Sequence, residues 1–97
     1  MEKLQVVIRG NSMWPTLDDG QEIFCETYVG QSIHKGQLVV FYHPFNKDII
    51  AVKRVKYCES GGLFVEGDNP DPTASDDSHN FGLIKLASVI ALGMKRA

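Results

Sequence analysis

The apolar residues of this chain fall into short segments that are rich in Val, Ile, Phe and Tyr, with Gly, Pro, Asn or Asp between them. Segments of this length and composition predict β-strands rather than amphipathic helices. Six strands are expected, at residues 4–9, 22–26, 37–43, 49–57, 63–66 and 89–94. The pattern therefore predicts an all-β fold of mostly antiparallel strands, in which the sheet is folded over or partly closed. A helical turn is expected only near residues 13–17.

The longest gap between predicted strands covers residues 67–80 and holds no apolar residue larger than Ala or Pro. Loops of about a dozen residues without regular structure are uncommon unless they take part in function. We therefore expect this loop to form one wall of a functional site. It carries the aspartates Asp68, Asp71, Asp76 and Asp77. Their spacing does not match a calcium loop, so we expect a solvated acidic loop and no metal.

Composition and charge narrow the class of protein. The length of 97 residues predicts one domain, over residues 1–97. Ten Lys and Arg against twelve Asp and Glu give a net charge of −2, so no nucleic-acid surface is expected. No apolar run approaches the roughly 18–20 residues that span a bilayer, and no signal peptide is evident. We therefore expect a cytoplasmic protein or, alternatively, the catalytic fragment of a membrane-anchored enzyme. Cys25 and Cys58 match no metal or redox spacing, so free thiols are expected, with a disulfide as the alternative.

Ser12 follows the first predicted strand on a segment that must turn sharply. Gly10 permits positive φ, and Pro15 fixes its own φ and disfavours a helical conformation at Trp14. A serine on such a turn can expose its hydroxyl beside backbone N–H groups that stabilise an oxyanion, as a nucleophile requires. Serine hydroxyls also cap turns, and the segment taken alone favours that structural role.

Lys53 lies in the fourth predicted strand, next to Arg54. In a strand these two side chains point to opposite faces, and both faces are otherwise apolar. Burial lowers the pKa of a lysine, whereas an arginine stays protonated. A neutral Lys53 could therefore act as general base for Ser12. Taken alone, the segment favours a lysine that extends its ammonium group to solvent.

The histidines His34, His43 and His79 offer another base. A Ser–His–Asp triad would use His79 with Asp76 or Asp77. None of the three has an informative pattern of neighbours, so the sequence does not favour the triad.

Three segments, taken in order, resemble the sequence boxes of the signal peptidase I family of Ser–Lys proteases. They are Gly-Asn-Ser-Met-Trp-Pro-Thr-Leu at 10–17, Val-Lys-Arg-Val at 52–55, and Gly-Asp-Asn at 67–69 followed by Ser-Asp-Asp-Ser at 75–78. The chain is most similar to the subgroup of nickel-type superoxide dismutase maturation proteases. With that subgroup it shares Gly-Asn-Ser-Met at 10–13, Val-Val-x-x-His-Pro at 39–44 and Gly-Asp-Asn-Pro at 67–70.

The resemblance implies a role for each matching residue. Ser12 would be the nucleophile and Lys53 its general base. Ser75 would hold the lysine amine in position, and Asp77 would brace the site. The supporting positions implied are Gly10, Met13 and Pro15 in the turn, and Asp68 and Asn69 in the loop.

The chain departs from the family pattern at three places. Gly10 stands where some members have a serine that donates to the oxyanion, so only the N–H of Ser12 is carried over. Five residues separate Asn69 from Ser75, whereas the family usually has three. Thr73 is therefore the alternative hydroxyl for orienting Lys53. His79 replaces the family's arginine, so a pair that it formed with Asp77 would weaken at alkaline pH.

The function that this resemblance implies is that of a serine endopeptidase without a cofactor. It would remove an N-terminal extension from a precursor protein, a nickel-type superoxide dismutase in the subgroup. We expect the extended substrate to add to a free strand edge at 4–9 or 37–43. The alternatives are a general signal-peptide-cleaving core, a self-cleaving domain like the LexA-type repressors, and an inactive peptide-binding module. A self-cleaving domain predicts an Ala-Gly cleavage segment, and the chain contains no Ala-Gly.

Overall fold

The computed structural model describes residues 2–93 and contains one six-stranded sheet. The strands are β1 Lys3–Val7, β2 Glu22–Thr27, β3 Leu38–His43, β4 Asn46–Glu59, β5 Gly62–Glu66 and β6 Val89–Gly93. Their order in the sheet is β1-β2-β6-β3-β4-β5, and every pairing is antiparallel. The predicted all-β, mostly antiparallel fold is therefore confirmed. The last residue of the sixth predicted strand, Met94, lies outside the described residues.

The segment predicted as a loop without regular structure contains two short helices. A 3₁₀-helix covers Pro72–Ala74, and α1 covers Ser78–Phe81. The carboxylates of Asp71 and Asp77 accept the N–H groups of Thr73 and His79 at the starts of these helices. Two of the four aspartates that suggested a solvated loop thus cap its turns. A second 3₁₀-helix, Leu86–Ser88, leads into β6.

The position of β3 corrects one expectation about substrate binding. β3 lies inside the sheet between β4 and β6, and its residues Val39, Val40 and Phe41 are fully buried. The segment 37–43 therefore has no free edge, because β4 and β6 pair on either side of β3. The first strand, β1, does lie at an edge.

A second unpaired edge comes from the length of β4. This strand has 14 residues, whereas β5 has five and pairs only with the half of β4 from Arg54 onward. Among residues 2–93, no strand pairs with the first half of β4 on the side that β5 occupies further along. Lys53 is the last residue of this unpaired half.

An apolar cluster packs against each face of the sheet. One cluster contains Val39, Phe41, Val55, Leu63, Val65, Ile84, Val89 and Leu92. On the other face, Met13 and Leu17 pack with Ile8, and the partly buried Leu38 and Val52 contact them. The segment that follows Ser12 is thus fixed to the sheet by apolar contacts.

Two further expectations concern the thiols and the membrane. Cys25 and Cys58 are both free, the first buried and the second exposed, so the expected disulfide alternative does not occur. Within the part of the chain that the structure describes, no helix has the length and apolar character needed to cross a membrane.

Candidate active site

Ser12 and Lys53, 41 positions apart in sequence, meet in the folded chain. The Nζ atom of Lys53 lies 2.7 Å from the Oγ atom of Ser12, within hydrogen-bond distance. As an ammonium group Lys53 donates to the hydroxyl, and as a neutral amine it can accept the hydroxyl proton. The pair therefore has the geometry that proton transfer from a nucleophile to a base requires.

A tight turn holds Ser12 at this position. Gly10 has a φ of 79°, in the left-handed region, and its N–H donates to the Asp19 carboxylate at 2.8 Å. One helical hydrogen bond follows, from the N–H of Leu17 to the carbonyl of Met13 at 2.8 Å. Met13 is 1% exposed, so the residue after Ser12 anchors the turn in the core. Pro15 follows a cis peptide bond and is exposed.

The environment of Lys53 favours the neutral amine. The residue is only 6% exposed, and it lies opposite Val39 of β3. Burial lowers the pKa of Lys53, because a charged amine loses hydration inside the protein, and the carboxylates of Asp77 and Asp76 partly oppose this shift. A lysine with a lowered pKa can be a base nearer to neutral pH than an ordinary lysine can.

The segment that leaves β5 holds the other side of the Ser12 turn. The backbone N–H of Asn69 donates to the carbonyl of Ser12 at 2.9 Å, and its side-chain amide donates to the carbonyl of Asn11 at 2.8 Å. Gly67 lies so close to this turn that a Cβ atom there would be 2.5 Å from the Ser12 carbonyl oxygen and 2.4 Å from Ser75 Oγ. Only glycine permits this approach.

The variant Gly67→Ala tests that packing. We expect the added methyl group to push the Ser12 turn and Ser75 apart, with a loss of about 1–3 kcal/mol in the free energy of unfolding, measured by urea denaturation. The matched control is Gly61→Ala, whose Cβ would meet nothing closer than Leu83 Cδ1 at 3.7 Å. Equal stability of the two variants would contradict the close packing.

The Asp77 carboxylate accepts hydrogen bonds from Ser75, Gly67 and His79. Its Oδ2 atom accepts the Ser75 hydroxyl at 3.1 Å and the N–H of Gly67 at 3.3 Å. Its Oδ1 atom accepts the N–H of His79 and contacts the His79 ring at 2.8 Å. Although burial opposes ionisation, these hydrogen bonds keep the pKa of Asp77 below its usual value. The 7% exposed carboxylate is therefore an anion near Lys53.

The two candidate hydroxyls for orienting Lys53 lie in different surroundings. The Thr73 hydroxyl donates to Asp71 at 2.8 Å within the exposed 3₁₀-turn. Ser75 packs against Gly67, which itself lies against the Ser12 carbonyl. In the described part of the chain, the Ser75 hydroxyl bonds to Asp77 rather than to Lys53 directly. The geometry thus favours Ser75 over Thr73 as the hydroxyl in the site.

An ion pair that sequence reasoning did not identify joins the sequence boxes. Arg54 donates to both oxygens of Asp68, at 2.9 Å from Nε and 2.8 Å from a terminal nitrogen. Asp68 also accepts the Thr16 hydroxyl at 2.6 Å. The residue after Lys53 is thereby tied to the turn that carries Ser12. Strand alternation already indicated that Arg54 points to the face opposite Lys53. It could not indicate that Asp68 is the partner of Arg54 on that face.

The histidines do not form the alternative triad. His79 pairs with Asp77, and its ring also packs edge-on with Phe64, with ring centroids 5.0 Å apart. His43 contacts Asp76 at 2.7 Å. Among residues 2–93, the side chain hydrogen-bonded to the Ser12 hydroxyl is that of Lys53, not of a histidine.

Comparison with known proteins gives one match to a family. The sequence model described as signal peptidase, peptidase S26, matches residues 3–57, more than half of the chain. The match covers Ser12 and Lys53 and ends before the 67–80 segment. No curated protein matches the chain.

Proposed function

Because this chain belongs to the signal peptidase S26 family and is thus a signal-peptidase-like serine peptidase, we propose that it is an endopeptidase with Ser12 as nucleophile and Lys53 as general base. The observation that supports this most directly is the 2.7 Å contact between Ser12 Oγ and the buried Lys53 amine. Ser75 and Asp77 orient the site, and Asp68 and Asn69 hold the turn.

The proposed reaction proceeds through an acyl-enzyme. Neutral Lys53 takes the hydroxyl proton as Ser12 Oγ attacks the substrate carbonyl carbon. The protonated lysine then gives that proton to the leaving amine as the C–N bond breaks. In the second half, Lys53 removes a proton from water, and the hydroxide attacks the ester. As the ester C–O bond breaks, the protonated Lys53 returns this proton to Ser12 Oγ. This step restores the Ser12 hydroxyl and the neutral amine, and the carboxylic acid leaves.

The oxyanion requires a hydrogen-bond donor next to Ser12. Within residues 2–93, the backbone N–H of Ser12 has no hydrogen-bond acceptor in the protein, so it can donate to a substrate oxygen. A fixed N–H group of this kind stabilises charge as it develops in the transition state.

The first half of β4 offers a place for the substrate backbone. The N–H of Val55 donates to the carbonyl of Gln37 on the β3 side. Backbone groups of an antiparallel strand alternate in direction, so those of Val52 and Ile50 point away from β3. That edge ends at Lys53. An extended peptide that adds to it would bring its scissile carbonyl to Ser12.

We propose a protein precursor as substrate, and the precursor of a nickel-type superoxide dismutase as the specific one. This choice is supported by the resemblance of segments 10–13, 39–44 and 67–70 to the maturation-protease subgroup. A precursor carrying a general signal peptide is the alternative substrate.

The test is to incubate the protein with each precursor and to sequence the new N-termini. We expect one cleavage that releases the extension of the dismutase precursor, and none with the Ser12→Ala variant. Cleavage of only the signal-peptide precursor would contradict the dismutase assignment and retain the peptidase. If neither precursor is cleaved, and Ser12 also fails to react with a serine-directed boronate or acylating probe, the proposed function is wrong.

A further inference from the structure

His43 contacts the β3–β4 turn, the 75–77 segment and α1. It has no role in the proposed reaction. It is the last residue of β3, and its side chain is 12% exposed. Val39 lies opposite Lys53, and Phe41 lies opposite Ala51. The pairing of β3 with β4 shifts register between Tyr42 and His43. The Phe81 ring contacts both Phe41 and His43, so His43 lies on the face that carries Phe41 and Lys53.

The contacts of His43 define its tautomer. Its Nδ1 atom accepts the backbone N–H of Phe45 at 3.1 Å, so the ring proton belongs on Nε2. Nε2 lies 2.7 Å from Oδ2 of Asp76. The Phe81 ring of α1 packs edge-on against the imidazole at 5.1 Å. The β3–β4 turn and α1 thus hold a ring whose N–H points at Asp76.

Asp76 is the residue between Ser75 and Asp77. Its other oxygen accepts the side-chain amide of Asn80 at 3.0 Å. The hydrogen bonds from Asn80 and His43 keep the pKa of Asp76 below its usual value, so it is an anion. Its charge favours the protonated form of Lys53, as that of Asp77 does.

Among the described residues, the groups that β3 and the Ser12 turn place at Lys53 are uncharged. β3 contributes Val39, and the turn contributes the Ser12 hydroxyl. His79 acts only from the far side of Asp77. Arg54 points to the opposite face and is paired with Asp68.

We infer that His43 is a positioning residue of this site, which acts by holding Asp76 and with it the 75–77 segment against Lys53. The contribution of His43 to catalysis rests on the proposed function. The effect on Lys53 is a property of the folded chain that can be measured whether or not a peptide is cleaved.

The experiment measures the titration of the Lys53 side chain by NMR in the isotope-labelled full chain. We expect His43→Phe, which keeps the aromatic packing and loses the N–H donor, to lower the pKa of Lys53 because Asp76 is released. Asp76→Asn should lower it as well, by removing the charge. His43→Gln keeps a donor and should lie closer to wild type. The control, His34→Phe, alters an exposed histidine outside the site and should change nothing.

The second readout is peptide cleavage. At high pH, where Lys53 is neutral in every variant, we expect His43→Phe to lose about tenfold or more in kcat, because the released 75–77 segment no longer positions the amine. The change in KM should be smaller, and His43→Gln should recover part of the loss in kcat. An unchanged Lys53 titration in His43→Phe would overturn the inference, even if Asp76→Asn lowers the pKa. If the titrations shift as expected but the wild type neither cleaves peptide nor reacts at Ser12, only the peptidase proposal fails.

Discussion

Replacing Lys53 by methionine should lower kcat by about 10³-fold, the middle of the range for loss of a general base. Methionine keeps an unbranched apolar side chain at this buried position and removes the amine that contacts Ser12. In the wild type, kcat/KM should rise with pH as Lys53 loses its proton. Because burial lowers its pKa, this rise should lie below the ordinary lysine value of about 10.4. The measurement is a pH–rate profile from about pH 6 to 10.

Stability separates this loss of activity from a loss of fold. The pKa of Lys53 is lower in the folded chain than in the unfolded chain, so between the two values the unfolded state binds more protons. The free energy of unfolding of the wild type therefore falls as the pH drops from the pKa of Lys53 in the unfolded chain to its pKa in the folded chain. Lys53→Met has no amine to protonate and avoids this loss of stability. The variant should be at least as stable at pH 7 in urea denaturation. A flat wild-type pH–rate profile, or an active Lys53→Met, would contradict the assignment of the base.

The Ser12→Ala variant should have no measurable turnover, and it should no longer react with a serine-directed boronate or acylating probe. The hydroxyl that attacks is absent, so no acyl-enzyme can form, and losses at such nucleophiles reach several orders of magnitude. In the wild type we expect one probe per chain, attached at Ser12 and located by mass spectrometry of the labelled peptide. The labelling rate should follow the same ionisation of Lys53 as the cleavage rate.

Ser60→Ala is the matched control for this experiment. Ser60 is exposed in the turn between β4 and β5, so its replacement should leave labelling and cleavage at wild-type levels. Labelling of the Ser12→Ala variant at another serine, with turnover retained, would identify a different nucleophile. Complete lack of labelling in the wild type would support the inactive peptide-binding module instead.

The strands could be predicted because β-branched and aromatic residues fall into short segments between turn residues, a signal that depends only on neighbours in sequence. The edges of the sheet could not. The segment 37–43 has the composition of any strand, and it loses its free edge only because β4 and β6 pair on either side of it. The free half of β4 arises from the short length of β5, which pairs only from Arg54 onward.

The site could be predicted in part. Ser12 on a sharp turn and Lys53 in an apolar strand were identifiable as candidates, and the resemblance of three segments placed them in one family. The partners of Arg54 and His43 were not identifiable. Asp68 and Asp76 lie 14 and 33 positions away from them, and no local pattern relates residues at such separations.

The sequence by itself determined the fold class, the family and the residue types for a serine peptidase, because strand periodicity and family motifs are local. The tertiary structure decided which groups meet. It buries Lys53 and sets its amine against Ser12, it places Ser75 rather than Thr73 beside Gly67, and it brings Asp76 to His43. The physical reason is that the basicity of an amine and the direction of a hydrogen bond depend on burial and distance, and both are fixed only when the strands pair.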